Sequence, residues 1–306
     1  MSEATAARTA RAAGFAGEAE VGDFVALLKP RVMSLVVFTG FAGLYLAPGT
    51  MHPFLACVAV LAIAVGAGAA GAINMWYDRD IDAVMERTRG RPLPAGRVEP
   101  GDALGFGVAL ALLSVMVMGL AVNYAAAALL ALTIGFYVFV YTAWLKRRTP
   151  QNIVIGGAAG AFPPVIGWAA ATDEVGPGAL ALFVLIFFWT PPHFWALALV
   201  RNADYRRAGV PMLPVVAGDR ATKRQILVYA LLLLPLSLTP FALGVAGPVY
   251  AGIAAGMGLA FAALALRLMR DAENRSAMRL FGFSILYLFV LFAAMVAERA
   301  AGWPAG

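Results

Sequence analysis

The residues best suited to chemistry lie between Asn74 and Pro94, in the stretch NMWYDRDIDAVMERTRGRPLP. This stretch follows FLACVAVLAIAVGAGAAGAI, which carries no charge. Asn74, Asp78 and Asp82 recur at every fourth position, so on a continuing helix they share one face, while Asp80 points the other way. An amide oxygen and two carboxylates are hard ligands that suit Mg²⁺, whose coordination is usually completed by substrate phosphates. The spacing therefore predicts a magnesium and diphosphate site, with these three residues as metal ligands and catalytic residues.

A simpler interpretation is that the aspartates only pair with nearby arginines in a solvated loop, with Arg79 as the partner of Asp80. For any single aspartate this interpretation is preferred. For the whole set the metal site is preferred, because polar groups within a membrane segment are costly and usually functional.

Two carboxylates alone bind Mg²⁺ weakly, so phosphate oxygens must complete the site and cations must hold the phosphates. Basic residues in two loops on one side of the membrane are the candidates, since arginine forms paired hydrogen bonds to phosphate and lysine acts as a point charge. They are Arg87, Arg89, Arg91, Lys146, Arg147 and Arg148. Each one alone is equally explained by membrane topology.

Mg²⁺, a diphosphate and a lipid-facing cavity together suggest an allylic prenyl diphosphate as substrate. Metal and cations would neutralise the departing diphosphate, and aromatic rings would stabilise the allylic cation that remains. The available rings are those of Tyr77, Tyr137, Tyr141, Phe194 and Trp195. An aromatic side chain in a membrane helix more often packs or anchors an interface; among these, we predict Tyr141 to be catalytic and Tyr77 and Trp195 to bind substrate. Nucleotide chemistry is disfavoured, because neither GxxxxGKS nor the DxxDG pattern of CDP-alcohol phosphotransferases occurs.

The chain has two histidines and one cysteine. His193, in TPPHFWALAL, lies inside a predicted helix among aromatic residues, where a histidine needs a partner. Three roles fit it: a hydrogen-bonded core histidine, a general base, or an axial ligand to a haem iron. His52 is expected at the surface. Cys57, the single cysteine, is expected to be a small buried hydrophobic residue and excludes a disulfide within the chain.

The composition is that of an integral membrane protein: 306 residues, 62% hydrophobic, 13% charged, with a mean hydropathy of +0.81. Nine segments reach the roughly 20 apolar residues of a transmembrane helix, and none alternates like a barrel strand. Their bounds are about 28–48, 53–76, 101–121, 124–144, 152–171, 178–200, 226–246, 249–268 and 279–297. We therefore predict an all-α bundle of nine transmembrane helices in one domain, 25–300, after a disordered cytoplasmic tail at 1–24 and before a short tail at 301–306.

Basic residues set the orientation. All 23 lysines and arginines except Arg299 fall at or before the start of the first segment or in alternate loops. Because short basic loops stay in the cytoplasm, the N-terminus is predicted to be cytoplasmic and the C-terminus periplasmic, with lipids as the surrounding partner. The net charge of +6 follows from this topology and gives no reason to expect nucleic-acid binding.

The motif Asn74-xxx-Asp78-xxx-Asp82 resembles the NxxxDxxxD motif of the UbiA superfamily of intramembrane prenyltransferases. The fuller stretch quoted above resembles its protohaem IX farnesyltransferase (haem O synthase) branch in particular. The agreement continues in Lys29-Pro30-Arg31, YTAWLKRRTPQN, GGAAGAFPPVIGW, TPPHFWALAL and DYRRAGVPMLPV. The last three predicted membrane segments contain no such matching string and agree with the family only in hydropathy.

The resemblance implies helices around a central cavity, with cap loops on the cytoplasmic side. It implies farnesyl diphosphate and haem B as substrates, Mg²⁺ as cofactor and haem O as product. The implied location of the protein is a bacterial inner membrane, with a mitochondrial inner membrane as the alternative. A haem A synthase is a candidate partner. The residues that carry over are Asn74, Asp78 and Asp82 for the metal diphosphate and Lys146 and Arg147 for the phosphates. Arg31 and His193, within two of the matching strings, are predicted to bind substrate.

The chain departs from the pattern of the superfamily at a second pair of acidic residues. Many members of the superfamily carry DxxxD after the sixth segment, where this chain reads RNADY and offers only Asp204. Asp204 is predicted as a further catalytic residue and metal ligand; with Asn202 or Tyr205 it either holds a metal through water or positions an arginine. The missing acid puts a second Mg²⁺ in doubt. The absence of a second acid fits a haem vinyl group as acceptor. A vinyl group adds directly to an allylic cation, whereas a phenol must first lose a proton.

Two other functions are open at this stage. Prenylation of an aromatic quinone precursor fits the fold but agrees less well with the missing acid and with His193. A cation or haem transporter would use Asn74, Asp78, Asp82 and Asp204 as an ion path. The charged sites lie on one membrane face, however, and a transport path needs polar groups through the midplane.

Overall fold

The computed structural model describes residues 19–302, and every regular element in that range is a helix. In chain order the helices are α1 (Val21–Leu27), α2 (Pro30–Leu46), α3 (Pro53–Tyr77), α4 (Arg79–Val84), α5 (Pro100–Ala121), α6 (Tyr124–Gly135), α7 (Asn152–Thr172), α8 (Pro177–Val200), α9 (Asn202–Arg207), α10 (Leu213–Leu236), α11 (Thr239–Ala242), α12 (Pro248–Arg270) and α13 (Ala277–Ala300). A π-helical segment, Phe136–Leu145, continues α6. The predicted all-α class is confirmed.

The number of membrane spans depends on how the first two helices are counted. Within the described residues, eight helical stretches are long and apolar enough to cross a membrane, and α1 with α2 would make a ninth span. These two helices are bent by 53° at a break that contains Lys29. The chain is therefore a multi-pass membrane protein, and nine predicted segments agree with the structure when the bent pair counts as one. The central cavity stays a prediction.

Two of the predicted bounds need correction. α10 begins at Leu213, whereas the segment was predicted from about residue 226, because residues 213–225 are helical but too polar to register in hydropathy. Gly218, with a φ of 79°, interrupts the helix in this polar part. The tail predicted at 1–24 overlaps α1. Its residues 1–18, like residues 303–306, lie outside the described range.

Apolar side chains cover the outside of the bundle as well as its interior. On α3, Phe54 is 67% and Leu61 63% exposed, as expected for a helix face that meets lipid. Cys57 is exposed on the same helix, so its predicted burial is wrong. In a membrane helix an apolar residue is stable on either face, and hydropathy therefore does not distinguish the core from the lipid surface.

The predicted fourth segment is not a uniform α-helix. Its last part, Phe136–Leu145, is π-helical, and Lys146 N donates to Tyr141 O at 2.9 Å across five residues. Such wide turns are rare and frequently occur at functional sites. Because the π-helix fits an additional residue into each turn, it changes which side chains face the neighbouring helices. This segment carries Tyr137, Tyr141 and Thr142.

The helices α2 and α7 approach each other closely. A Cβ placed on Gly43 would lie 2.0 Å from the carbonyl oxygen of Pro164, and one placed on Gly167 would lie 2.0 Å from that of Gly40. The two backbones therefore touch, which is the kind of packing that small residues permit in membranes. The small-residue run of α3 packs tightly too: a Cβ on Gly66 would come within 2.9 Å of Leu130.

Apolar side chains join α4, in the polar loop after α3, to α9, in the polar loop after α8. Ile81 and Met85 form one cluster with Tyr205, Val210 and Met212, and Ile153 of α7 and Ala198 of α8 belong to it. This cap cluster holds both loops against the ends of the membrane helices. It is the packing that positions the polar residues described next.

The contact between α2 and α7 predicts a specific effect of one methyl group. Gly43→Ala should lower the free energy of unfolding by at least about 2 kcal/mol, because overpacking against a backbone cannot be relieved by a rotamer change. The measurement is the midpoint of thermal unfolding of the purified protein in detergent. Gly105→Ala is the matched control, since a Cβ at Gly105 meets nothing within 4 Å. Equal midpoints for the two variants would contradict the close contact.

Candidate active site

The three predicted metal ligands lie at the end of α3 and in α4. Asp78 N donates to Asn74 O at 2.9 Å and Asp82 N donates to Asp78 O at 2.8 Å, so the helical hydrogen bonding passes through Asp78 although α3 formally ends at Tyr77. Asn74, Asp78 and Asp82 are all buried. The side chain of Asp80 is 60% exposed. The arrangement is a buried polar face on an apolar helix.

Each of the buried polar groups meets a basic side chain from a different part of the chain. Lys29 Nζ donates to Asn74 Oδ1 at 2.7 Å, and Arg91 Nη1 donates to Asp82 Oδ2 at 2.6 Å. Lys146 Nζ donates to Asp78 Oδ2. These three basic residues come from the break before α2, from the loop after α4 and from the end of the π-helix. Charge is therefore brought together from distant segments, in partly or fully buried surroundings where it is poorly screened.

Asp78 is the deepest of the acids. Its Oδ2 accepts from Asn74 Nδ2 at 2.7 Å as well as from Lys146. Its Oδ1 is buried and has no hydrogen-bond donor, and the nearest guanidinium nitrogen, on Arg147, is 3.5 Å away. A buried carboxylate oxygen without a donor is costly. It is suited to a hard cation such as Mg²⁺.

The donor set fits a metal that shares its shell with phosphate. Within residues 19–302, no three His, Cys, Asp or Glu side chains are grouped to hold a metal by themselves. Asp78, Asp82 and Asn74 offer two carboxylates and one amide, which suits Mg²⁺ when substrate oxygens complete the coordination. Asn74 is held in place from two sides, because its Nδ2 donates to Asp78 and, at 3.1 Å, to Thr142 Oγ1.

Arg147 is held beside these acids by Asp80. Its two terminal nitrogens donate to both Asp80 oxygens at 2.6 and 2.7 Å, and its guanidinium lies 5.0 Å from the centre of the Tyr77 ring. The hydrogen bond from Arg147 holds the pKa of Asp80 below its ordinary value. The interpretation that Asp80 pairs with Arg79 is wrong, because Arg79 lies over the Trp76 ring and donates to its carbonyl oxygen at 2.7 Å.

The other predicted phosphate-binding residues are placed differently. All are exposed, and within the part of the chain that the structure describes they form no ion pair. They are Arg31, Arg87, Arg89 and Arg148. Of the six cations proposed from the two loops, the structure brings Arg91, Lys146 and Arg147 to the acids.

Among the aromatic candidates, Tyr77 and Tyr141 adjoin the acids. Tyr77 donates to Ala143 O at 3.3 Å, which ties α3 to the π-helix. Tyr141 packs on Tyr137, with ring centres 5.3 Å apart, and precedes Thr142, which contacts Asn74. Trp195 is 2% exposed and packs edge-to-face on Tyr229, as a core residue does.

Asp204 lies in the second polar loop, at the start of α9. It is buried, accepts from Arg207 and lies 3.4 Å from the backbone nitrogen of Glu86. Of the two roles left open for it, this geometry is that of a residue that positions an arginine. Because Glu86 follows α4, the contact also brings the two polar loops together on one membrane face.

His193 is enclosed by aromatic rings within α8. Trp189 and Phe281 stack on its two faces at 4.3 and 4.6 Å, and Phe194 meets it edge-on. Its Nδ1 lies 2.6 Å from Ser284 Oγ, which itself donates to the carbonyl oxygen of Phe281. The hydroxyl proton is used in that second bond, so we assign the hydrogen of this contact to Nδ1 of the histidine. The lone pair is then on Nε2.

The chain matches the UbiA prenyltransferase family over residues 36–295. It belongs to this family. It is 61% identical over 290 residues to the protohaem IX farnesyltransferase of Acidiphilium cryptum, covering 92% of each chain. It is 58% identical to that of Parvibaculum lavamentivorans, covering 94% of this chain and 91% of the relative. Family membership favours a transferase over the transporter alternative.

Solved structures of the family share the fold. A digeranylgeranylglyceryl phosphate synthase matches 91% of this chain and 98% of its own with a TM-score of 0.76, at 17% identity. A UbiA homologue from Archaeoglobus fulgidus bound to DMAPP and Mg²⁺ matches 90% of this chain and 99% of its own with a TM-score of 0.66, also at 17% identity. At these identities the likeness concerns the fold.

Three residues that contact predicted site residues were not themselves predicted to belong to the site. Lys29 was counted with the topological charges, yet it adopts a left-handed conformation with φ of 53° and contacts Asn74. Strained conformations of this kind cluster at functional sites. Thr142 and Ser284 are single hydroxyls within apolar segments. The sequence signals were the place of Lys29 at the start of an apolar run, where a charge is costly, and its place in the matching string Lys29-Pro30-Arg31.

The ion pair between Asp82 and Arg91 predicts a contrast between two arginines of one loop. Arg91→Gln should destabilise the protein by about 3 kcal/mol, because it leaves a buried carboxylate without its partner. Arg89→Gln, which removes an exposed arginine, should have little effect. The measurement is thermal unfolding in detergent, and adding Asp82→Asn to Arg91→Gln should restore most of the loss. Similar midpoints for Arg91→Gln and Arg89→Gln would show that the pair is not structural.

Proposed function

We propose that the protein transfers the farnesyl group of farnesyl diphosphate to a vinyl group of haem B and, with addition of water, gives haem O and diphosphate. The observation that carries the proposal is the 61% identity to a protohaem IX farnesyltransferase over 92% of both chains. The relative from Parvibaculum lavamentivorans, at 58% identity, carries the same name. The buried acids with their adjacent cations supply the charge arrangement that such a reaction requires.

On the donor side, we assign Asp78, Asp82 and Asn74 to Mg²⁺. When bound, the ion would neutralise charge on the departing diphosphate. Lys146 and Arg91 are hydrogen-bonded to these acids, and Arg147 lies beside them, so all three are within reach of phosphate oxygens that approach the same carboxylates. Lys146, Arg91 and Arg147 would hold the phosphate oxygens by charge and hydrogen bonds.

On the acceptor side, the reaction needs orientation more than proton transfer. The carbon–oxygen bond to diphosphate breaks, and the vinyl carbon forms a carbon–carbon bond to the allylic cation. Water then adds to the new cation and one proton leaves, giving a hydroxyethylfarnesyl group. A phenolic acceptor would need a base to ionise it, and the chain offers one acid, Asp204, where many family members carry a pair. This difference supports haem B as the acceptor.

We assign His193 to the contact with haem. The ring is fixed by Trp189 and Phe281 and by the hydrogen bond to Ser284, which leaves Nε2 as the atom able to bind iron. A hydrogen bond from the other ring nitrogen orients a metal-binding histidine in this way. Tyr77 and Tyr141, next to the acids, are assigned to the prenyl group, and Asp204 to the positioning of Arg207.

We place the reaction at the cytoplasmic face of a bacterial inner membrane, with the N-terminus cytoplasmic and the C-terminus periplasmic. The basic loops after α4 and after the π-helix meet at Asp78 and Asp82, which supports a common side for them. By the topology rule that side is cytoplasmic. A haem A synthase is the partner expected to take up the product.

Mass spectrometry of the product tests the function. Purified protein with haem B, farnesyl diphosphate and Mg²⁺ should give a haem adduct heavier by one farnesyl group and one water. Asp78→Asn should lower turnover by about 100-fold or more, since it removes charge at the transition state at nearly constant volume. Asp102→Asn, at an exposed acid of α5, is the control and should be fully active. If the Asp78→Asn protein is fully active, Asp78 has only a structural role. If folded wild-type protein forms no adduct, the proposed function is refuted.

The role of His193 predicts an effect of Ser284 on haem binding. Ser284→Ala should weaken haem B affinity about fivefold, which corresponds to the loss of one hydrogen bond of about 1 kcal/mol. The measurement is titration of the haem absorption band of the purified protein. Ser114→Ala is the matched control, because Ser114 is buried and donates to its own helix at Ala111 O. Unchanged affinity and spectrum in Ser284→Ala would make His193 a core histidine.

A further inference from the structure

A second cluster of cations lies at the ends of α12 and α13, and it shares no residue with the acidic site. The two helix ends and the loop between them surround a concavity of about 480 Å³. Its lining is Arg267, Arg270, Asp271, Arg275, Ser276 and Arg279. We call this concavity the arginine pocket.

The positive charge of the arginine pocket is incompletely balanced. Arg275 pairs with Glu273. The carboxylate of Asp271 is used by the loop itself, since Oδ2 accepts from the backbone nitrogen and the hydroxyl of Ser276 at 2.7 and 2.6 Å and Oδ1 accepts from Glu273 N. Within residues 19–302, Arg267, Arg270 and Arg279 form no ion pair. Guanidinium groups around one concavity repel each other until an anion lies between them.

The loop that carries these arginines is firmly held. Lys223 of α10 donates to the carbonyl oxygen of Asp271. Asn274, in a left-handed conformation with φ of 59°, donates to Asp219 Oδ2 at 2.6 Å. These contacts fix the loop to the polar start of α10. The backbone around the arginine pocket is therefore preorganised, and little loop ordering is required when a ligand binds.

The position of the arginine pocket along the helices indicates the kind of ligand. Leu266, next to Arg267, is 43% exposed, and Met278, next to Arg279, is 46% exposed. On both helices the arginines thus lie where the exposed apolar surface ends, which is the depth of lipid headgroups. A free anion gains nothing from this apolar border. A molecule with a phosphate headgroup and acyl chains can contact both surfaces.

Topology alone explains why this loop is basic, and arginines in the last turn of α12 also interact favourably with the helix end. Neither requires the arginines of two helices to surround a common concavity. Basic pockets between membrane helices on the cytoplasmic side are typical binding sites for anionic lipid headgroups. We propose that the arginine pocket binds the phosphate headgroup of an anionic phospholipid.

Lipid titration of the delipidated, full-length protein tests the proposal. In native mass spectrometry, phosphatidylglycerol should bind at least about tenfold more tightly than phosphatidylcholine, because two or more arginines each contribute about 1 kcal/mol toward an anionic lipid. Arg267→Gln with Arg279→Gln should abolish this preference. The matched control is Arg220→Gln with Arg224→Gln, which removes two exposed arginines from α10 outside the pocket and should retain the preference.

Three outcomes would overturn the proposal. One is equal binding of the two lipids to the wild-type protein, and another is an equal loss in the control variant, which would indicate a general effect of surface charge. The third is displacement of phosphatidylglycerol by equimolar inorganic phosphate, which would indicate a site for a soluble anion. If the double variant unfolds, Arg270→Gln alone should still weaken phosphatidylglycerol about fivefold. The titration requires no turnover, so it is independent of the prenyl-transfer proposal.

Discussion

The burial of the Asp78 carboxylate is the constraint on which the polar part of the structure depends. A carboxylate removed from water is costly unless charge and hydrogen bonds compensate it. Here the compensation comes from Asn74 one turn earlier, from Lys146 after the π-helix and, at longer range, from Arg147. One oxygen nevertheless remains without a donor. Such an oxygen is suited to a divalent cation, which is the role proposed for Asp78.

The surrounding elements serve to bring the cations to this carboxylate. Lys146 can reach it because the π-helical turns place Thr142 on Asn74 and end at Leu145, directly before the lysine. Lys29 reaches Asn74 from a break whose left-handed conformation an ordinary helix would not provide. The cap cluster of apolar side chains holds the loops in place. Local backbone irregularity and tertiary packing thus act together, and neither is evident from hydropathy.

The sequence predicted what depends on composition and on short spacing: the helical class, the membrane segments, and a shared buried face for Asn74, Asp78 and Asp82. It could not predict which of many basic residues meet the acids, since every one also satisfies the topology rule. Asp80 shows this limit, because its partner is Arg147, far along the chain, and not the adjacent Arg79. It also misplaced Cys57, since lipid and core accept the same side chains. The hydrogen-bond partner of His193 could not be predicted either, because Ser284 lies in a helix for which the sequence offered only hydropathy.

Two adjacent glycines link the acidic site to the histidine. A Cβ on Gly156 of α7 would lie 2.2 Å from the Tyr141 ring, and one on Gly157 would lie 2.9 Å from Thr190, one turn before His193 on α8. At this level α7 therefore has no side chain to separate the π-helix from α8. A larger side chain at either position would push one of these neighbours away, which gives a physical reason for glycine at both.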